Sequence, residues 1–191
     1  MNTSEQYFLK TSRLGFRQWH QDDISSAISL WGDHEGTRHF DARGKLSQDQ
    51  VQERLAKEIT NQKNHGVQYW PIFLIESNAH VGCCGLRPYD LSKQIYEIGF
   101  HICSNHWRHG YGREAAVAII GYAFNTIKAY ALFAGHNPKN DISRHLLEQL
   151  GFCYTHDEYY PPTGLNHPSY LLKVNDYHSH RQSLGNRGLR T

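Results

Sequence analysis

Hydrophobic and polar positions alternate along several stretches of this chain and recur at helical spacing along others. Thr11 to Trp19 alternates, with Leu14, Phe16 and Gln18 on one face, and predicts a first strand. Asp22 and Asp23 can cap a helix running through Trp31, with Ile24, Ala27, Ile28 and Trp31 as its apolar stripe. Ser47 to Gln62 reads as a second helix. Ser47 and Gln50 stand at capping-box spacing, and Val51, Leu55 and Ile59 share one side. Two strands follow, Gln68 to Glu76 and Val81 to Arg87, joined by the turn-like Ser77-Asn78. Gln94 to Cys103, rich in aromatic and β-branched residues, is a further strand.

The pattern then changes. Asn105 to Gly112 is a polar, glycine-bearing loop, and Arg113 to Asn125 is an apolar helix. Tyr130 to Ala134 is a short buried strand, and Asn140 to Leu150 a helix stopped by Gly151. Phe152 to Tyr160 and Ser169 to Val174 are the last strands. This order implies an α/β chain, a mixed sheet covered by helices, with no internal repeat. Beyond Val174 the hydrophobic pattern ends. The expected organisation is one domain over residues 1–174, followed by a polar, basic tail over 175–191 that is expected to be mobile.

A length of 191 residues suits one domain with a core large enough to fold without staples, and 13% aromatics argues against disorder. The longest mostly apolar run, Ala115 to Phe124, is broken by Gly121 and is too short to span a bilayer. Met1 to Lys10 lacks the apolar stretch of a signal peptide, so a soluble, cytoplasmic protein is expected. The 20 basic and 18 acidic residues give +2, an excess carried by Arg181, Arg187 and Arg190 of the tail against Asp176. The near-neutral remainder does not steer the protein toward nucleic acid. Cys83, Cys84, Cys103 and Cys153 show no C-x-x-C spacing and lie in apolar surroundings, as buried reduced thiols would. Of the 14 histidines, His101, His106 and His109 cluster loosely without a ligand spacing. Surface and loop histidines, and no metal, are therefore expected.

The strongest chemical signal is the run Trp107-Arg108-His109-Gly110-Tyr111-Gly112-Arg113-Glu114-Ala115. A glycine loop leading straight into a helix aims backbone N–H groups outward at the positive end of the helix dipole, which suits a phosphate. Arg108 and Arg113 could add charge to the same anion. A plain glycine turn between strand and helix fits the same residues. A P-loop is excluded, because Gly112-Arg113-Glu114 replaces its G-K-[ST]. Gly110-x-Gly112-x-x-Ala115 does match a dinucleotide fingerprint, but the acid needed roughly 20 residues further on is missing. A dinucleotide-binding protein stays as a weaker alternative.

From Thr11 to about Val174 the sequence resembles the GNAT superfamily of acyl-CoA-dependent N-acetyltransferases, most of all the branch holding the ribosomal-protein N-terminal acetyltransferases. Four segments carry the resemblance, in order. They are Thr11-Ser12-Arg13-Leu14-Gly15-Phe16-Arg17, the strand Tyr96 to Ile102, the loop Trp107 to Ala115, and Asn140-Asp141-Ile142-Ser143-Arg144 leading to Leu150-Gly151-Phe152. The family's pyrophosphate loop, [QR]-x-x-G-x-[GA], aligns with Trp107 to Gly112, with Trp107 in the Gln/Arg position.

The resemblance implies a mostly antiparallel sheet of six to seven strands flanked by helices, with a splay between the fourth and fifth strands. It implies acetyl-CoA as the acetyl donor. Backbone N–H groups of Arg108, His109, Gly110, Tyr111, Gly112 and Arg113 would hold the pyrophosphate, and pantetheine would run along Phe100, His101 and Ile102. Gly99 suits a bulge at such a splay. Asn140 and Ser143 match the family's N-x-x-S element, where the asparagine contacts CoA and the serine can protonate the leaving thiolate. Both are also competent helix-capping residues.

Direct attack by an amine on a thioester benefits from a base. Glu97 on the central strand is the leading carboxylate, since partial burial raises the pKa of a Glu toward neutrality. A solvent-facing or merely substrate-binding Glu97 fits equally. His101, two residues on, is the alternative base. Tyr159 and Tyr160 could line the acceptor pocket, whose walls would come from Trp31 to Leu46 and Tyr159 to His167. His34, Glu35, Arg38, His39, Asp41 and Arg43 make the first of these polar. A protein N-terminus, an amino sugar and a polyamine stay open as acceptors. So do a monomer or a homodimer, and a non-catalytic acyl-CoA-binding protein of the same fold.

Overall fold

In the computed structural model, residues 7–39 and 45–179 are described. The expected acceptor-wall residues Asp41 and Arg43, and the tail from residue 180 on, lie outside the described residues.

The elements run β1 (Leu9–Lys10), β2 (Leu14–Phe16), α1 (Ile24–Trp31), α2 (His34–Thr37), α3 (Gln48–His65), β3 (Tyr69–Leu74), β4 (His80–Asp90) and β5 (Ile95–Ile102). They continue with α4 (Tyr111–Tyr122), β6 (Ala131–Gly135), α5 (Asp141–Gln149), β7 (Cys153–Tyr160) and β8 (Leu165–Lys173). The strands form one 8-stranded sheet in the order β1-β2-β3-β4-β5-β6-β8-β7. Among the described residues, only β5 and β6 pair in parallel. The eighth strand is β1, two residues that the alternation did not mark. The expected strand from Thr11 shrinks to Leu14–Phe16, because Thr11 Oγ1 accepts the Leu14 N–H at 2.9 Å and turns the chain there.

Side-chain alternation along the strands divides the core in two. Trp70, Cys84, Leu86, Ile98 and Leu132 pack under α4 and the buried Leu147 of α5, while Tyr69 and Cys83 pack under α1 and α3 on the other face. The adjacent Cys83 and Cys84 thus serve opposite faces as core residues. Cys103 is buried as well, but Cys153, at the start of the outer strand β7, is exposed rather than buried. The capping box of α3 forms as expected, with Ser47 Oγ accepting the Gln50 N–H at 3.3 Å and Gln50 Oε1 accepting the Ser47 N–H at 2.8 Å. Asp23 does not cap α1 with its side chain. Its carboxylate is held by the Arg17 guanidinium at 2.7 Å and by the His20 N–H at 2.8 Å.

Past β8, residues 174–179 continue as a helical turn, and the Tyr177 ring packs on Phe124 at 4.9 Å. The first part of the expected tail therefore lies against the π-helical turn Ala123–Ile127 that follows α4.

The histidines depart from the surface and loop expectation. His136 and His167 are buried, and His101 and His80 are half-buried. Among the described residues, no three His, Cys, Asp or Glu side chains are grouped so as to hold a metal. His80 sits 5.6 Å from Trp19 and 5.3 Å from Phe73, and burial pushes its pKa down to about 4. Between that value and about 6.5 the unfolded chain binds a proton that the folded chain refuses, so stability is lost as pH falls through this window. The melting temperature at pH 5 is expected to lie below that at pH 7.5. His80→Phe, which cannot titrate, should recover up to about 2 kcal/mol of the difference.

Candidate active site

The ladder between β5 and β6 consists of three pairs, Ile95–Ala131, Tyr96–Leu132 and Glu97–Phe133, and stops there. From Ile98 to Ile102 the two strands diverge, giving the expected splay. On its other side β5 keeps an unbroken register with β4 from Ile102 to Tyr96. No bulge therefore forms at Gly99, contrary to expectation. The β4–β5 irregularity falls between Pro88 and Asp90 instead. Gly99 is required for a different reason: a Cβ there would lie 2.3–2.7 Å from the hydroxyl and ring of Tyr69. The glycine makes room for that phenol, whose O–H donates to Glu97 Oε1 at 2.9 Å. Burial, then the Glu97 charge, pushes the Tyr69 pKa well up, so the phenol stays a donor.

Beyond the splay, the chain makes a 3-10 turn (Ser104–His106) and enters the glycine loop. Trp107 Nε1 donates to the Ile102 carbonyl at 2.8 Å, closing the loop back on β5. Arg108 and Gly110 adopt φ of +64° and +78°, and Gly110 directly precedes α4. The first bond of that helix, Glu114 N–H to Gly110 C=O, is 3.1 Å long. The N–H groups of Tyr111, Gly112 and Arg113 precede it and have no intrahelical acceptor. A Cβ added at Gly112 would lie 3.5 Å from the Ile102 side chain. The helix start and the mouth of the splay are thus adjacent.

Arg108 and Arg113, singled out for charge, are exposed. The arginine anchored at the loop is Arg13, from the β1–β2 turn. It donates to the His109 carbonyl at 3.1 Å, lies 4.6 Å over the Tyr111 ring and pairs with Glu114 at 2.6 Å. Partial burial works against the Glu114 charge, but Thr11 and Arg13 hold its pKa below the usual range. His109 stacks on Tyr111 at 5.4 Å, with planes 7° apart.

A cleft of about 380 Å³ opens at the closed end of the splay. Of the residues named from sequence, Glu97, Phe100, His101, Asn140 and Ser143 line it, together with Tyr159, Tyr160 and His39. Ile102 and the loop from Arg108 to Arg113 lie outside it, toward α4. Asn140 caps α5, its Oδ1 accepting the Ser143 N–H at 3.1 Å. Its capping role is therefore real, and both side chains also face the cleft.

His101 shares the face of Glu97, as an unbulged strand requires. Trp31 Nε1–H meets its Nδ1 at 3.4 Å, and burial, reinforced by Arg54 and Arg87, drives its pKa well below 6.5. It is a neutral imidazole between α1 and the sheet.

Sequence reasoning missed Arg54, Tyr69, Arg87 and His136, all of which line the cleft. His136 follows directly on β6. Its Nδ1 hydrogen bond to the Asn137 carbonyl, 2.8 Å, leaves Nε2 as a bare acceptor, buried and without a partner among the described residues. No periodicity could have marked these four, since each comes from a different strand, helix or loop. Arg54 and Glu58, four apart on α3, were the one readable hint.

Comparison with known proteins agrees with this geometry. The acetyltransferase (GNAT) domain family matches residues 13–153. The chain is 27% identical to the uncharacterized N-acetyltransferase p20 of Bacillus licheniformis over 148 residues, 75% of this chain and 81% of that protein. Its fold is similar to that of the ribosomal L7/L12 alpha-N-protein acetyltransferase RimL, with TM-score 0.73, 12% identity, and 86% and 92% of the two chains covered. It is also similar to the spermidine/spermine N-acetyltransferase SpeG from Vibrio cholerae, with TM-score 0.71, 15% identity, and 90% and 99% covered. The last two likenesses concern the fold alone, and the dinucleotide alternative finds no support among these matches. Among the described residues, no helix is long and apolar enough to cross a membrane. A splayed β5–β6 pair, a glycine turn starting α4 and a family match across most of the chain lead to one conclusion: this chain belongs to the GNAT acetyltransferase family and is an acyltransferase enzyme.

Proposed function

We propose that this protein is an N-acetyltransferase that uses acetyl-CoA and moves the acetyl group to a primary amine by direct attack in a ternary complex. The observation that carries the reading is the opening between β5 and β6. It runs from the glycine turn at the start of α4 to a closed end at Glu97. That path suits a long thioester with an anionic head. The pyrophosphate meets the N–H groups of Tyr111, Gly112 and Arg113 at the positive helix end, with Arg13 nearby. The pantetheine arm follows the edge of β5 along Phe100, His101 and Ile102. A backbone N–H of that edge can stabilise the oxyanion of the tetrahedral intermediate.

The amine must attack as a free base. Glu97, fixed through one oxygen by Tyr69, accepts its proton, directly or through a water. The nitrogen lone pair forms the new bond to the carbonyl carbon. The C–S bond breaks, and the thiolate leaves as CoA, taking a proton from Ser143 or from water. Asn140 contacts the donor from the start of α5.

The test is amine-dependent release of the CoA thiol from acetyl-CoA. Release that rises with amine concentration, with N-acetyl amine recovered in equal amount, is the expected result. Saturable acetyl-CoA binding with no release for any amine would instead mark a non-catalytic acyl-CoA-binding protein.

A further inference from the structure

One wall of the cleft carries two arginines, of which, among the described residues, only one has a carboxylate bonded to it. Arg54 of α3 and Arg87 of β4 both line it, beside Glu97, Tyr69 and His101. Each guanidinium is held against an aromatic ring, Arg54 at 4.9 Å from Trp31 and Arg87 at 4.1 Å from Tyr69. Arg87 pairs with the fully buried Glu58. Arg54 has no carboxylate partner and no hydrogen-bond acceptor among the described residues. Its Nε is sealed from solvent, and so is the unpartnered Nε of Arg87. Desolvating a guanidinium without giving it an acceptor is costly. Arg54 as a whole is only half-buried and lines the cleft, so an anion there can pair with its terminal nitrogens.

The local charges point to the kind of ligand. Two arginines face Glu97 in the cleft and Glu58 behind it; a further glutamate, Glu158 of β7, also lines the cleft and hydrogen-bonds Tyr89. Glu58 is spent on Arg87 and on the Tyr69 N–H, 2.9 Å away. When Glu97 receives an ammonium group or its proton, Arg54 still has no carboxylate bonded to it among the described residues. A ligand carrying one ammonium and one carboxylate neutralises both, and the planar guanidinium suits a carboxylate bidentately. Polyamines and amino sugars bring only cations and give Arg54 no anionic acceptor.

We propose that the acetyl acceptor is a small amino carboxylate, a free amino acid or a close analogue, whose carboxylate is bound by Arg54 with support from Arg87 while its amine faces Glu97. This rests on the acetyltransferase reading above and narrows it to a class of acceptor.

The experiment compares free α-, β- and γ-amino acids with their carboxamides as acceptors, at fixed saturating acetyl-CoA. The amides have the larger neutral-amine fraction near pH 7, so intrinsic reactivity favours them. At least one free amino acid is nevertheless expected to exceed its amide in kcat/KM by about tenfold or more, the scale of one charge-assisted hydrogen-bonded contact. Arg54→Gln should raise the KM of that acid about 10- to 100-fold and bring the acid-to-amide ratio close to unity. It should change the melting temperature little, because among the described residues it removes a cation–π contact but no ion pair or hydrogen bond. A purely structural Arg54 would do the reverse, lowering the melting temperature and leaving the ratio unchanged.

Amides, polyamines or peptide N-termini used as well as any free amino acid would overturn this inference and leave acetyl transfer standing. Acetyl-CoA binding without transfer to any free amino acid overturns it as well. Failure to bind acetyl-CoA at all would remove the broader reading and this one together.

Discussion

Replacing Glu97 by Gln is expected to lower kcat about 10²- to 10³-fold, the usual worth of a positioned proton acceptor, with the KM for acetyl-CoA changed less than twofold. The substitution is close to isosteric. The Gln amide oxygen can still accept from the Tyr69 hydroxyl that now meets Glu97 Oε1 at 2.9 Å, so the wall of the cleft keeps its shape. What disappears is the ability to take a proton from the attacking amine. Steady-state kinetics with a saturating acceptor reads the effect directly. A loss below threefold would remove Glu97 as the base and turn attention to His136, whose Nε2 is an unpartnered acceptor in the same cleft.

The largest effect on stability is expected at Glu58, which is fully buried. One of its oxygens accepts the Tyr69 N–H at 2.9 Å, and the other pairs with Arg87. Glu58→Gln preserves the first bond and removes the charge, leaving Arg54 and Arg87 as neighbouring cations with no carboxylate bonded to either. Breaking such a buried pair costs about 3–5 kcal/mol, or roughly 6–20 °C in melting temperature for a chain of this size. Adding Arg87→Gln should recover part of the loss, since the stranded charge goes with it. If Glu58→Gln melts within about 2 °C of the parent, the pair contributes little and Arg87 is neutralised by other means.

The contrast between those residues and the glycine loop explains what could be read from the sequence. The loop from Trp107 to Ala115 is local: its glycines, its helix start and its anion-binding chemistry lie within nine consecutive residues. The capping box of α3 and the cap of α5 by Asn140 are local in the same way, and both formed at the expected positions. The charged wall of the cleft is not local. Arg54, Tyr69, Arg87 and Glu97 come from a helix and three strands, and meet only once β3, β4 and β5 pair beneath α3. Gly99 shows the difference at one position. As a strand glycine it suggested a bulge, whereas its actual reason is a tyrosine ring from a strand that is not its neighbour in the sheet. His101 read as part of a loose polar cluster, because nothing near it in sequence announces that Trp31 will close over it.

Acetyl-CoA recognition can be measured before any acceptor is known. The melting temperature is taken alone and with acetyl-CoA, CoA or NAD at matched concentrations. A ligand at about 100 times its Kd adds roughly 2.7 kcal/mol, which is about 5–11 °C for a domain of this size. The expected result is a shift of that order with acetyl-CoA and CoA, and none with NAD. A shift with NAD alone, or no shift with acetyl-CoA up to millimolar concentration, would mean that the glycine turn and the β5–β6 opening do not serve an acyl-CoA.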